Sequence, residues 1–226
     1  MIGKRQGLRL CALTAGLLGV LVGGAALAAT ITVNSLADPG APGICTLRDA
    51  ITAANTMTAT NGCAAGSGND TINFPPRMTG TISLVSTLPQ VTDSLLTVNG
   101  PAYRGITISG GFSVPVFGPF GSVLEVGAGA TLSLNNLAIA DGIAFPEGGG
   151  ITNAGTLTVA NSVFSRNEAL AGGGIFNSGV LTVTNSTFSA NRAMSPFGSG
   201  PSGVGGAIYN EGTTKITNST FSGNVG

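Results

Sequence analysis

Gly148–Asn167 reads GGGITNAGTLTVANSVFSRN, Gly172–Asn191 reads GGGIFNSGVLTVTNSTFSAN, and Gly205–Asn224 reads GGAIYNEGTTKITNSTFSGN. The three stretches share one template: two glycines, a small residue, Ile, then Asn, Gly, an alternating apolar run, Asn-Ser, Phe-Ser and Asn. Repetition of a short unit is the mark of a solenoid, in which each unit buries its apolar side only against its neighbours. The first two copies begin 24 residues apart and the next two 33 apart, the extra length being the loop-like run around MSPFGSGPSGV.

The spacing inside a copy decides between helical and sheet solenoids. Leu181 and Val183 stand two apart, the period of a strand. Gly and Asn recur too often within the repeats for paired helices. Each copy therefore reads as about three short strands joined by turns, with successive coils about 4.8 Å apart. Equivalent residues then stack. Ile151, Ile175 and Ile208 form one column, and Phe164, Phe188 and Phe221 form a second, both read as core. Asn153, Asn177 and Asn210 form a third column, Asn161, Asn185 and Asn218 a fourth, and Asn167, Asn191 and Asn224 a fifth. Asn tolerates the left-handed turn conformation, and stacked Asn side chains also form hydrogen-bonded ladders. The reading for all these Asn residues is structural, ahead of a ligand ladder or of glycosylation at Asn185-Ser-Thr and Asn218-Ser-Thr. Thr214 stands where the other copies carry Leu157 and Leu181, which marks either a looser corner or a place where another surface packs.

The repeat extends upstream in degraded form. Leu132 aligns with Leu157, Leu134 with Val159, Asn136 with Asn161, Ile139 with Phe164 and Gly142 with Asn167. Earlier still, DTINF, GTISLVS, LLTVNG, ITISGG and VLEVG alternate as strands between turn residues, back to Asp70. Residues 70–226 are thus read as one β-solenoid, expected to continue beyond Gly226 or to be covered there by a partner. Residues 30–69 are read as its N-terminal cap. TITVNS at Thr30–Ser35 is strand-like, and CTLRDAITAAN at Cys45–Asn55 is the one convincing helix, with Thr46 as N-cap and Asp49 three residues on. Leu47, Ile51 and Ala54 give it a narrow apolar stripe.

Composition sets the compartment. Of 226 residues 42% are hydrophobic and only 8% charged, with 37 glycines and no His or Trp. A disordered tail would be charged and poor in aliphatics. Lys4, Arg5 and Arg9, the apolar Cys11–Val22 and the Ala26-Leu27-Ala28 site make residues 1–28 a secretory signal peptide, cleaved near Ala28. The apolar run is too short for a comfortable membrane span, so the mature chain is expected to carry no transmembrane segment. Cleavage leaves six basic and nine acidic residues, a net charge of −3, which gives no footprint for nucleic acid. Cys45 and Cys63 remain as an even pair in an exported chain, and a disulfide is the default reading. Two thiols without a His make a poor metal site.

The Cys45–Asn55 stretch resembles the CSLREAI motif found near the N-terminus of secreted bacterial parallel β-helix proteins; Cys45, Leu47, Arg48, Ala50 and Ile51 match, while Thr46 and Asp49 depart conservatively. Asp70–Phe74 and Leu96–Pro101 look like the next segments of that family. The GG-(G/A)-I and F-x-x-N elements are similar to those of the polymorphic outer-membrane protein family, as in Gly172–Ile175 with Phe188–Asn191. The resemblance covers almost all of the mature chain. It implies an all-β, right-handed, single-stranded parallel β-helix with a short capping helix, secreted or on the cell surface, with adhesin-like roles in some relatives.

The expected function is that of a noncatalytic extracellular or outer-membrane-surface β-helix, structural or adhesin-like, without a cofactor, whose partner is a host or cell-surface glycan or protein. The alternative is a polysaccharide lyase or glycosidase on the same scaffold. A hydrolase needs two carboxylates across one groove, and a lyase needs a base beside acidic calcium ligands. Glu125, Asp141, Glu147 and Glu168 are the densest carboxylates, but they fall at different repeat positions and read as solvated surface.

Overall fold

A computed structural model describes residues 28–102, 105–111, 121–194 and 203–226. The leader residues Lys4, Arg5, Arg9 and Cys11, and the core of the inserted run at 195–202, lie outside the described residues. Among the described residues no helix is long and apolar enough to cross a membrane.

The strands stack as a parallel β-helix. One sheet has seven strands: Thr30–Thr32, Asp70–Asn73, Leu96–Asn99, Thr131–Asn135, Thr156–Ala160, Val180–Thr184 and Thr213–Thr217. A second has six: Gly80–Ser83, Ile106–Ser109, Leu137–Ala140, Val163–Ser165, Thr187–Ser189 and Thr220–Ser222. A third has four: Leu124–Val126, Ile151–Asn153, Ile175–Asn177 and Ile208–Asn210. Glu168–Ala169 and Arg192–Ala193 add a two-stranded sheet, so the regular copies carry one more strand run than the sequence suggests. Every named pair of strands is parallel, and the chain visits the sheets in turn, which places each coil on the one before. The register is the one read from the repeats: Leu132 opposite Leu157 opposite Leu181, and Ile139 opposite Phe164 opposite Phe188.

Alternation along each strand builds the interior. Leu157, Val159, Leu181 and Val183 point inward and are at most 1% exposed, while their Thr neighbours face out. Phe164 and Phe188 are fully buried and stack with ring centroids 4.8 Å apart; Phe188 and Phe221 stack at 5.0 Å, but Phe221 is 43% exposed on the last coil. The paired glycines have a backbone cause. Gly148, Gly172 and Gly205 sit at φ +65, +68 and +69, where a side chain is strained, and a Cβ on the next glycine would run into carbonyls of the adjoining coil.

The Asn columns divide by role. Asn161, Asn185 and Asn218, with Asn136 before them, hold φ between 50 and 58 and make the turns. Asn153 and Asn177 are fully buried in strands instead, where Asn153 Nδ2 donates to Asn177 Oδ1 at 2.6 Å and Asn177 Nδ2 to Asn210 Oδ1 at 2.7 Å. Asn167, Asn191 and Asn224 form a second ladder at 2.9 Å per step. At that corner the left-handed residue comes one place earlier, at Arg166, Ala190 and Gly223. Turn chemistry therefore accounts for one column, and side-chain ladders for the other two. Thr214 joins the first ladder: its hydroxyl lies 2.5 Å from Asn210 Oδ1 and 3.3 Å from Asn177 Nδ2.

The helix spans Leu47–Thr56. The Thr46 hydroxyl accepts from the Asp49 N–H and donates to Asp49 Oδ2 at 2.6 Å. Ala50 and Ala53 are buried as well as Leu47, Ile51 and Ala54, so the apolar face is wider than the stripe in the sequence. That face joins the core containing Ile31, Val33 and Ile72. The Cys45–Cys63 disulfide closes the loop behind it, over a separation of 18 residues. Arg48 fastens the helix sideways, with Nε 2.6 Å from Asp38 Oδ1 and its terminal nitrogens donating to the Thr87 and Ser86 carbonyls.

Candidate functional site

Outward positions on the two long sheets carry mostly short uncharged side chains in register. Thr71, Thr97, Ser133, Thr158 and Thr182 form one such row, which ends on Lys215. The four-stranded sheet differs. Its middle row runs Glu125, Thr152, Phe176, Tyr209, and the Phe176 and Tyr209 rings stack at 5.7 Å.

A cavity of about 180 Å³ opens beside this row, lined by Ser122, Glu125, Phe145, Pro146, Glu147 and Thr152 among others. Strand alternation turns Glu125 outward between buried Leu124 and Val126. The Phe145-Pro146 turn of the next coil then brings Glu147 to the same depression. Gln90 Nε2 donates to Glu125 Oε2 at 3.4 Å. The Ser122 and Thr152 hydroxyls lie 2.8 Å apart, and Thr152 Oγ1 also donates to the Glu147 carbonyl at 3.2 Å. Partial burial pushes the Glu147 carboxyl above its ordinary range, and repulsion from Glu211 adds to this. Neither described ion pair involves Glu125, Glu147 or Glu211.

The four carboxylates considered from sequence thus separate. Glu125 and Glu147 come together. Asp141 is held by Arg166, with Nε 2.7 Å from Oδ1. Glu168 lies in the small sheet, opposite Arg192. Among the described residues no three His, Cys, Asp or Glu side chains converge as metal ligands.

Cys45 and Cys63 are bonded to each other, and Phe164 and Phe188 are core. Asn161, Asn185 and Asn218 are exposed at turns, while Asn153, Asn177 and Asn210 belong to the ladder already described. A second depression, about 460 Å³, is lined by Thr32, Asn73, Pro75, Asn99 and Pro101 among others. Asn73, Asn99 and Asn135 form a third amide ladder there, at 3.1 and 2.9 Å. Among the described residues its lining offers amides and apolar rings but no charged side chain. The carboxylate pocket offers both hydrogen-bonding polarity and an aromatic edge, the mixture typical of a small-ligand site.

No family model, curated protein or solved structure matches this chain.

Proposed function

We propose that the chain is a noncatalytic extracellular or cell-surface β-helix protein, exported by its leader, with a structural and adhesive role. On this reading the Glu125–Glu147 pocket contacts a host or cell-surface glycan or protein. The supporting observation is the contrast between faces: the outward rows of the long sheets are mostly short and uncharged, with Lys215 ending one of them, while Glu125, Glu147 and the Phe145 ring gather beside the four-stranded one. Short in-register hydroxyls present a polar but uncharged exterior, and a concave mixed patch gives a partner something to grip. The test is binding of the mature chain to immobilised neutral, amino and acidic oligosaccharides and to whole cells. Binding without turnover that is lost in Glu125→Gln and Glu147→Gln supports the reading; binding unchanged in both variants refutes the pocket's role.

One observation favours the enzyme alternative. Two glutamates share a cavity, and one of them is biased toward its neutral form, which is how an acid and a base are separated in glycoside hydrolysis. Release of new reducing ends from a polysaccharide, abolished by Glu147→Gln, would establish that reading in place of adhesion.

A further inference from the structure

Away from the pocket, two buried carboxylates lie on neighbouring segments at the N-terminal cap. Asp70 is 2% exposed and Asp93 6% exposed. They are brought together by the pairing of Asp70–Asn73 with Leu96–Asn99, in which the Asp70 N–H donates to the Leu95 carbonyl at 2.9 Å. Asp70 is wrapped by its own loop: Oδ1 accepts from the Ser67 N–H at 2.8 Å and the Ser67 hydroxyl at 3.2 Å, and Gly66 packs against Oδ2. Asp93 Oδ1 accepts from the Leu95 N–H at 3.4 Å, but its buried Oδ2 has no donor among the described residues. The pairing of Asp70 with Leu96 and the Ser94–Gly68 hydrogen bond set it beside the Asp70 carboxylate, itself an acceptor. Two acceptors side by side in a buried place lack a hydrogen between them.

We infer that Asp70 and Asp93 share a single proton, carried on Asp93 Oδ2 and donated to the Asp70 carboxylate, and that this pair is an acid-tightened latch on the N-terminal cap. A proton fits where a calcium ion does not, because calcium takes about 6–8 oxygens and the Ser67 and Gly66 backbone already occupies the surroundings of Asp70. Burial and the Asp70 charge both raise the Asp93 carboxyl above its ordinary value, consistent with this placement.

The latch joins three segments. Asn55, at the end of the helix, accepts from the Thr92 and Asp93 N–H groups at 2.9 and 3.2 Å and donates to the Gln90 carbonyl at 2.7 Å. Ser94 Oγ donates to the Gly68 carbonyl at 2.7 Å, and the Gly66 N–H donates to Ala53. Helix end, disulfide-side loop and the first full coil therefore meet at the carboxyl pair. The other charged groups are engaged elsewhere: on the helix, Arg48 pairs with Asp38, and Asp49 takes Thr46 and Asn61. Leu96–Asn99 and Thr131–Asn135 carry no titratable side chain. When the proton leaves, two charges face each other in a buried site, and the latch weakens.

The sign follows from the raised Asp93 value. Its contribution to stability is full below the unfolded-chain value and is lost as the pH rises through the folded one. Melting of the disulfide-intact mature chain, wild type against Asp93→Asn, reads this directly. The neutral amide supplies a permanent N–H to Asp70, so at neutral pH the variant is expected to melt about 2–4 °C higher, and the gap should close on acidification. If the variant does not fold, the carboxyl ¹³C titration of the wild type decides: one signal of the pair should titrate well above about 3.9. Both carboxyls titrating at ordinary values, or calcium chloride raising the melting temperature of the wild type but not of the variant, overturns the shared proton.

Discussion

Shortening Phe188 to Ala is the sharpest test of the stacked interior. Phe188 is fully buried, with Phe164 on one side at 4.8 Å and Phe221 on the other at 5.0 Å. Truncating a buried Phe costs about 3–5 kcal/mol, a figure that already includes the aromatic pairs it breaks, each worth about 0.5–1.5 kcal/mol beyond area. That loss is a large part of the stability of an ordinary domain, about 5–15 kcal/mol. Phe221→Ala, on a side chain that is 43% exposed and stacked on one face only, should cost less than half as much. Urea unfolding of both variants, with Phe164→Ala and the Phe164→Ala/Phe188→Ala pair alongside, gives the order and the coupling. The expected result is Phe188 far above Phe221, with a coupling of about 0.5–3 kcal/mol between Phe164 and Phe188. Equal effects at positions 188 and 221, or additive effects of 164 and 188, would refute the stack.

Three further outcomes are expected. Replacing Cys45 and Cys63 by Ala should lower stability by about 3 kcal/mol through the freed loop, visible as an earlier urea midpoint; an unchanged midpoint contradicts the role given to the disulfide. Asn177→Ala removes the middle rung of the ladder, leaving the Asn153 amide its Val180 and Gly155 carbonyls and Asn210 Oδ1 its Thr214 hydroxyl, at a cost of about 0.5–1.5 kcal/mol for each ladder bond lost in thermal melts, whereas Asn185→Gly at the left-handed turn should cost a few tenths at most or stabilise; the reverse order would overturn the division of the Asn columns. Glu147, raised by burial and by Glu211, should titrate above the ordinary glutamate range in ¹³C-detected NMR, and Glu211→Gln should bring it down. Its contribution to stability is present below the unfolded value and lost as the pH rises through the folded one, so Glu147→Gln should flatten that part of the pH profile.

The backbone periodicities were legible because they are local. Leu181 and Val183 two apart, and the aligned Ile and Phe residues, carry strand and register without further information. The helix was legible from Thr46 and Asp49, and the disulfide from an even cysteine pair. What stayed hidden depends on how a turn closes in space. Arg166 and Ala190 take positive φ against their own preference, since the neighbouring ladder of Asn167 and Asn191 fixes the corner. Glu125 and Glu147 share no repeat position; they meet because one projects from a strand and the other arrives from the turn of the next coil. Asp70 and Asp93 likewise meet across a strand pairing that separates them by most of a coil in sequence. Arg48 was visible as a motif residue, but its partner Asp38 and the Ser86 and Thr87 carbonyls were not, because they come from loops without periodicity.

The stacked, in-register β-helix is the claim on which every site above depends, and methyl NOEs in a Leu- and Val-labelled sample test it most directly. The structure predicts contacts from Leu157 to both Leu132 and Leu181, and from Val159 to both Leu134 and Val183. Absence of these cross-coil contacts, with contacts between antiparallel neighbours in their place, would contradict it.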